Sequence, residues 1–219
     1  MSGTGFLGML TSEQQRRVLA ATRRRRFGRN EVIFHEGDPG DTLHVVDKGH
    51  VAIRISTPLG DVVTLTVLGP GDSFGEQALL DPASRRTATA VAVVPAETRS
   101  LLRDEFQELR DGEPEIDRIL VAVLAEQVRR LSGHLLEALY VPADTRVLRR
   151  LTALVDTWPE APDGSVSVTI TQEDLASMAG TTRPTANRTL KQAEAAGVLR
   201  LARGRVHVPD PAALRRLAR

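Results

Sequence analysis

The sequence predicts an α+β chain: an N-terminal β-barrel or jelly roll, then a long helix, then a C-terminal winged helix-turn-helix. Three observations carry the prediction. Residues 31–101 alternate β-branched segments with glycine-containing turns, the pattern of many short strands in a closed or double sheet. From Pro114 to Tyr140 the apolar residues change to alternating spacings of three and four, the period of a long helix. Beyond Pro159, two short helical patterns flank Gly180 and a hairpin follows. A chain of 219 residues divides naturally into two units of about 100 residues each. The boundaries fall at 1–113 for the barrel, 114–141 for the long helix and 142–219 for the winged helix.

In chain order, a short helix over 12–21 and the basic run Arg23 to Arg26 precede the β-region. Its turns are Glu36-Gly37-Asp38-Pro39-Gly40-Asp41, Asp47-Lys48-Gly49, Pro58-Leu59-Gly60-Asp61 and Gly69-Pro70-Gly71-Asp72. Between them lie Leu43-His44-Val45-Val46, Val51-Ala52-Ile53-Arg54-Ile55 and Val62-Val63-Thr64-Leu65-Thr66-Val67-Leu68, rich in β-branched residues that suit a half-buried pleated surface. Pro114 favours the first turn of the long helix and Pro142 ends it. Along that helix Val121, Leu124, Val128, Leu131, Leu135 and Ala138 form a coiled-coil seam, and Ile119, Leu120 and Val123 form a second apolar stripe. One stripe can dock on the chain's own barrel and the other on a second copy; the alternative is a helix buried within one subunit. A helix over 146–158 turns Val147, Leu148, Leu151, Leu154 and Val155 inward, and 159–164 breaks it. A strand over 166–170, helices over 172–178 and 183–196, and hairpin strands at 199–201 and 206–208 around Ala202-Arg203-Gly204-Arg205 follow.

Composition narrows the chemistry. There is no cysteine, which excludes disulfides, thiol catalysis, Cys-ligated iron–sulfur clusters and Cys-rich zinc sites. No apolar run approaches the ~20 residues that span a bilayer, and the first residues lack a signal-peptide pattern, so a soluble cytoplasmic chain with no membrane partner is expected. The formal net charge of +1 hides an asymmetry: from Pro142 onward there are 12 Lys and Arg against 8 Asp and Glu, and before it 17 against 20. Within 175–208 six basic residues face the single acid Glu194. A basic C-terminal half points to a polyanion.

A DNA-reading helix must bury one face and present hydrogen-bond donors on the other. At about 100° per residue from Arg183, Asn187 lies near about 40°, Lys191 about 80°, Pro184 about 100° and Arg188 about 140°. Ala186, Thr189, Leu190 and Ala193 fall on the other arc. Arginine reads guanine and asparagine reads adenine through paired hydrogen bonds, while Lys191 suits a phosphate. Thr182 is the expected N-cap. The candidate DNA contacts are Thr171, Gln172, Thr182, Arg183, Pro184, Thr185, Asn187, Arg188 and Lys191, with Arg203 on the wing.

A second constellation lies in Phe74-Gly75-Glu76-Gln77-Ala78-Leu79-Leu80-Asp81-Pro82-Ala83-Ser84-Arg85-Arg86-Thr87-Ala88-Thr89-Ala90. Gly75 lets the backbone approach a ligand, and a short helix starting at Glu76 would aim free amides at an anion. Arg86 can neutralise a phosphate, with Thr87 as a further donor. Glu76 repels phosphate but accepts from a sugar hydroxyl beside it. An arginine for phosphate and a carboxylate for ribose describe a nucleotide cradle.

The order Phe-Gly-Glu, Ala-Leu-Leu, Arg-Thr-Ala-Thr resembles the phosphate-binding cassette of cyclic-nucleotide-binding domains. Together with the long helix and Thr181-Thr182-Arg183-Pro184-Thr185-Ala186-Asn187-Arg188, the chain resembles the Crp/Fnr family of transcription regulators from Glu31 to Val208. The resemblance implies a cyclic-nucleotide-binding jelly roll, a dimerisation helix, ribose contacts at Gly75 and Glu76, phosphate contacts at Arg86 and Thr87, and base contacts at Arg183 and Arg188. Gln77, Ala78 and Ala88 complete the cassette. It also implies a homodimer on a pseudo-palindromic double-stranded operator, contact with RNA polymerase, and cAMP as effector, with no catalytic cofactor. Four departures qualify it. Gly133-His134-Leu135 stands where cAMP-responsive members carry a Thr-Ser pair, so His134 is either a purine contact or a packing residue. Thr87 resembles cGMP-selective cassettes, which keeps cGMP open. Pro184 replaces a glutamate that reads cytosine, and the hinge from Val141 to Arg146 is shortened. Two other readings remain: a regulator that needs no nucleotide or senses another effector, and a cupin-type metal enzyme using His35, Glu36, His44 and His50.

Overall fold

In the computed structural model, which describes residues 8, 10–80, 83, 85–112 and 115–219, the chain begins with helix α1 (Ser12–Ala20). Thr11 caps it by accepting from the Gln14 amide while the Gln14 side chain accepts from the Thr11 amide. Then come strands β1 (Arg23–Phe27), β2 (Val32–Phe34), β3 (Thr42–Lys48), β4 (Val51–Ser56), β5 (Val62–Leu68) and β6 (Ser73–Phe74), the one-turn helix α2 (Gln77–Leu80), and strands β7 (Thr89–Ala92) and β8 (Ala96–Leu102). They form two four-stranded sheets, ordered β1-β8-β3-β6 and β2-β7-β4-β5. Val46, Phe74 and Ala96 from the first sheet pack with Val51, Leu68, Ala90 and Ala92 from the second. This is the double-sheet jelly roll that the turn spacing predicts.

The basic run is itself a strand. β1 pairs antiparallel with β8 from Arg23↔Ser100 to Phe27↔Ala96, Arg26 ion-pairs with Glu97 at 3.2 Å, and Arg23 with Glu105 at 3.4 Å. Four consecutive arginines show no alternation, so no strand is expected there; at a sheet edge all four stay exposed and discourage pairing with another chain. The β3–β4 hairpin depends on Gly49, at φ +77°, because a Cβ there would sit 2.3 Å from the Pro95 carbonyl oxygen.

Helices α3 (Arg103–Gly112) and α4 (Glu115–Tyr140) follow; Pro114, the expected first-turn residue, lies outside the described residues. Ile116, Leu120 and Val123 of α4 pack with Leu10, Val18, Leu43, Leu79, Leu101 and Phe106 into a second core. Strand β3 serves both cores through its two-residue period: Leu43 faces the helices, Val46 faces the other sheet. The seam residues behave differently. Val121, Val128, Leu131 and Leu135 are 65, 62, 65 and 61% exposed, and Leu139 also stands open.

The C-terminal part holds α5 (Ala143–Val155), β9 (Val166–Val168), α6 (Gln172–Met178), α7 (Arg183–Ala195), β10 (Arg200–Ala202), β11 (Arg205–Val208) and α8 (Pro211–Leu217), with a sheet ordered β10-β11-β9. α5 buries the five apolar residues expected of it. α8 was not anticipated, although Asp210-Pro211 is a start signal: the Asp210 carboxylate accepts from the Ala212 amide at 2.8 Å. The chain divides into two compact units, Met1–Ile55 with Val67–Leu131, and Ser56–Thr66 with Ser132–Arg219.

Candidate ligand cradle and nucleic-acid interface

The cradle is built where the segment after α2 crosses the turn before β3. The Arg86 amide donates to Asp38 O at 2.9 Å and the Gly37 amide donates to Arg86 O at 2.8 Å, so the backbone of Arg86 is pinned and its side chain turns inward. There it is only 7% exposed. Nη1 donates to Thr42 O (2.8 Å) and Gly75 O (3.3 Å), Nη2 donates to Thr42 Oγ1 (2.7 Å), and the guanidinium lies 4.1 Å above the centroid of the Phe34 ring. Its nearest carboxylate, Asp41, is 3.7 Å away and largely exposed. Burial pushes the guanidinium below its ordinary pKa, with Asp41, Asp38 and Glu76 opposing. Its Nε is buried and has no hydrogen-bond partner among the described residues. A buried cation whose ion-pair partner Asp41 is largely exposed, and which keeps an unused donor, is costly as it stands and fitted to an anion that arrives with its own acceptors.

Gly75 serves this arginine. At φ +81°, a Cβ would lie 2.6 Å from Arg86 Nη1 and 2.9 Å from Thr42 O, so the close approach expected for a ligand is occupied by Arg86 itself. Glu76, also buried, accepts from Gln127 Nε2 at 3.0 Å. The sequence pattern did not single out Gln127, yet Ile116, Leu120 and Val123 define an inward stripe whose next position is 127. A polar residue there is the signal. Gln77 opens α2 and is exposed, as is Thr87, and Ala88 is half-buried. Ala78 lies within α2, but its side chain, like Asp81, Pro82 and Ser84, is outside the described residues. α2 is a single turn starting at Gln77, one residue later than expected. His134 lies beyond Leu131, in the second unit, and is half-buried.

His44 lies two residues on from Thr42 in β3. It stacks on Phe74 at 5.1 Å, its Nδ1 lies 3.2 Å from Thr98 Oγ1 and its Nε2 lies 3.3 Å from Thr42 Oγ1.

In the second unit, Thr182 caps α7 by accepting from the Thr185 amide at 3.4 Å. Ala186, Thr189, Leu190 and Ala193 are buried, and Arg183, Pro184, Asn187 and Arg188 are exposed, the division expected of a recognition helix. Among the described residues neither Arg183 nor Arg188 has an ion-pair partner. Lys191, expected to meet a phosphate, is paired with Glu194 at 2.9 Å. Glu194 also accepts from the Leu201 amide at 2.8 Å, which ties α7 to the wing. Thr171 caps α6 and its hydroxyl donates to Asp174 (2.6 Å), so that group is committed to the helix start. Gln172 opens α6 half-buried, Thr185 is half-buried beside Thr182, and Arg203 is exposed at the wing turn next to Gly204. At the hinge, Arg146 donates to Val141 O (2.6 Å), Ala179 O (2.8 Å) and Gly180 O (3.0 Å), joining the end of α4 to the turn before α7.

Residues 24–113 match the model of the cyclic nucleotide-binding domain family, and residues 145–217 match the Crp-like helix-turn-helix domain family. The chain is 33% identical over 195 residues to a CRP-like cAMP-activated global transcriptional regulator of Mycobacterium tuberculosis, covering 88% of this chain and 87% of that one. It is also 33% identical to a cyclic AMP receptor protein of Thermus thermophilus, covering 100% of this chain and 98% of that one. The chain belongs to the Crp/Fnr family of transcription regulators. Among solved structures, the c-di-GMP responsive global regulator CLP of Xanthomonas campestris superposes on this Crp/Fnr chain with a TM-score of 0.71 at 26% identity, covering 90% of this chain and 99% of that one.

As a Crp/Fnr protein it is a DNA-binding transcription regulator and not an enzyme. The cupin reading is thereby set aside; among the described residues no three His, Asp or Glu side chains gather as a metal site. Among the same residues no helix is long and apolar enough to cross a membrane.

Burial of His44 is expected to make the fold acid-sensitive. His44 is lowered from 6.5 to about 4, by burial first, then by repulsion from Arg86 and Arg25, against a weaker pull from Asp41. Between those values the unfolded chain binds a proton that the folded chain does not. The stabilisation is complete above pH ~6.5 and is lost as pH falls toward ~4, by about 3 kcal/mol in all. Denaturant unfolding at pH 7 and pH 4.5 should show wild type losing about 2–3 kcal/mol more than His44→Phe. Equal losses would contradict the assignment.

Proposed function

We propose that this regulator is a homodimer whose operator binding is controlled by a cyclic nucleotide seated between Arg86 and Glu76, with cAMP the first candidate and cGMP the second. The observation that carries the reading is the buried Arg86 guanidinium, whose Nε is unpartnered among the described residues and whose nearest carboxylate is 3.7 Å away. A cyclic phosphate supplies the missing charge and acceptors, and Thr87 adds a hydroxyl donor. The ribose hydroxyl donates to Glu76 in place of Gln127. Because Gln127 precedes the exposed Val128, exchanging its partner bears directly on the helix stripe that two copies would share. That stripe sets the spacing of two α7 helices near one DNA turn, ~34 Å, on a pseudo-palindromic site. RNA polymerase is the partner the DNA-bound dimer would meet, as the family resemblance implies.

A specific observation favours a second reading, DNA binding without a nucleotide: Gln127 already satisfies Glu76, and Thr42 and Gly75 already hold Arg86. Calorimetric titration of the full chain with cAMP and with cGMP separates the two. The first reading requires saturable binding of at least one, and binding of neither overturns it, leaving a regulator that needs no nucleotide or senses another effector.

Base reading is assigned to Arg183 and Arg188. Arg183→Ala is expected to weaken binding to a selected operator by about 1–3 kcal/mol and to relax preference at one base pair per half-site. Unchanged affinity and preference in a gel-shift series would remove Arg183 from base readout.

A further inference from the structure

We infer that His44 positions Arg86 for its ligand through the Thr42 hydroxyl, making a relay Thr98–His44–Thr42–Arg86 across the inner face of β3. The inference rests on the reading of Arg86 as the phosphate-binding residue and adds a residue that the cassette does not contain.

The chemistry of Thr42 Oγ1 sets the direction of the relay. That oxygen has one proton and two lone pairs. Arg86 Nη2 can only donate, and at 2.7 Å it takes one lone pair. The proton has two available acceptors, Asp41 Oδ1 at 3.2 Å and His44 Nε2 at 3.3 Å. Asp41 has a side chain 70% exposed, so water satisfies it. His44 is buried, so its Nε2 either accepts this proton or donates an N–H into the second lone pair of Thr42 Oγ1. The adjacent guanidinium favours the ring orientation that presents a lone pair, not an N–H, toward the cation. Nε2 is therefore the acceptor and Nδ1–H the donor, and Thr98 Oγ1, fully buried at 3.2 Å, receives it. With its proton drawn to His44, Thr42 Oγ1 keeps its lone pair on Nη2.

With Nη1 and Nη2 fixed on Thr42 and Gly75, the buried Nε is left without a hydrogen-bond partner among the described residues. The stack of His44 on Phe74, and of Arg86 on Phe34, holds both planes in place.

Two readouts test this on the full chain. Long-range ¹⁵N–¹H NMR at pH 7 without nucleotide reads the His44 tautomer and the Arg86 guanidinium together. The expected result is an Nδ1–H imidazole and Arg86 Nη protons protected from exchange in wild type and exposed in His44→Phe, a change that keeps the aromatic stack. An Nε2–H tautomer, or Arg86 signals unaltered by His44→Phe, overturns the relay whether or not a nucleotide binds. Calorimetry with cAMP and cGMP then reads the consequence. His44→Phe is expected to bind about tenfold more weakly, and His44→Gln, whose Oε1 can accept from Thr42, within about threefold of wild type. Loss of binding in Arg86→Ala with wild-type binding in His44→Phe refutes the relay alone. Wild-type binding in Arg86→Ala refutes the phosphate reading, and the NMR result still decides the relay.

Discussion

A full-length chain carrying Val128→Glu and Leu135→Glu is expected to sediment as a monomer and to bind operator DNA at least ~1000-fold more weakly than wild type. Of the seam, Val121, Val128, Leu131 and Leu135 are mostly exposed, as is Leu139 beside it, whereas Leu124 packs against the chain's own core. Pairing two copies removes ten such side chains from water, worth about 1 kcal/mol each after partial burial, or on the order of 10 kcal/mol before the cost of association. Two carboxylates per chain at the centre of that seam would be desolvated without partners. Half-site spacing is a property of the pair, so a monomer keeps one recognition helix and loses the combined affinity of two. Because both substituted positions are exposed in the single chain, its own fold should still melt cooperatively, below the wild-type temperature by the stabilisation that association supplies. A dimer with unimpaired DNA binding would show that this stripe is not the interface.

Arg86→Ala is expected to lower cyclic-nucleotide affinity at least ~100-fold, the loss of a desolvated, charge-assisted contact worth about 3 kcal/mol or more. The variant also leaves Thr42 O and Gly75 O without a donor, costing about 1–3 kcal/mol of stability. Thermal unfolding distinguishes this from collapse: a cooperative transition lowered by several degrees, with nucleotide binding absent, is the expected pair of results. Unaltered affinity would remove Arg86 from the phosphate site.

How much was legible in the sequence follows from how local each signal is. Helix α6 has the expected bounds and α7 the expected start because Thr171 and Thr182 are caps, which act within three residues. The buried and exposed faces of α7 are legible because one helix's period decides them. β1 is not, since an edge strand of arginines is specified by its partner β8 and not by its own pattern. Gly75, Glu76 and Arg86 stood out by residue type and spacing, but Thr42, Phe34 and His44 reach Arg86 only through pairing of segments some forty residues apart, which no local period encodes. Lys191 reads as a phosphate contact on a helical wheel; the wheel does not show that Glu194, three residues on, competes for it.

The central claim is that occupancy of the Arg86 cradle changes what α7 does at DNA. It is tested most directly by selecting the chain's operator from random duplexes and measuring its affinity by fluorescence anisotropy, at fixed salt, with and without saturating cAMP or cGMP. Operator affinity is expected to change at least tenfold with the nucleotide that binds, and Arg86→Ala to abolish the change. Operator affinity that stays the same with the nucleotide bound would contradict the claim.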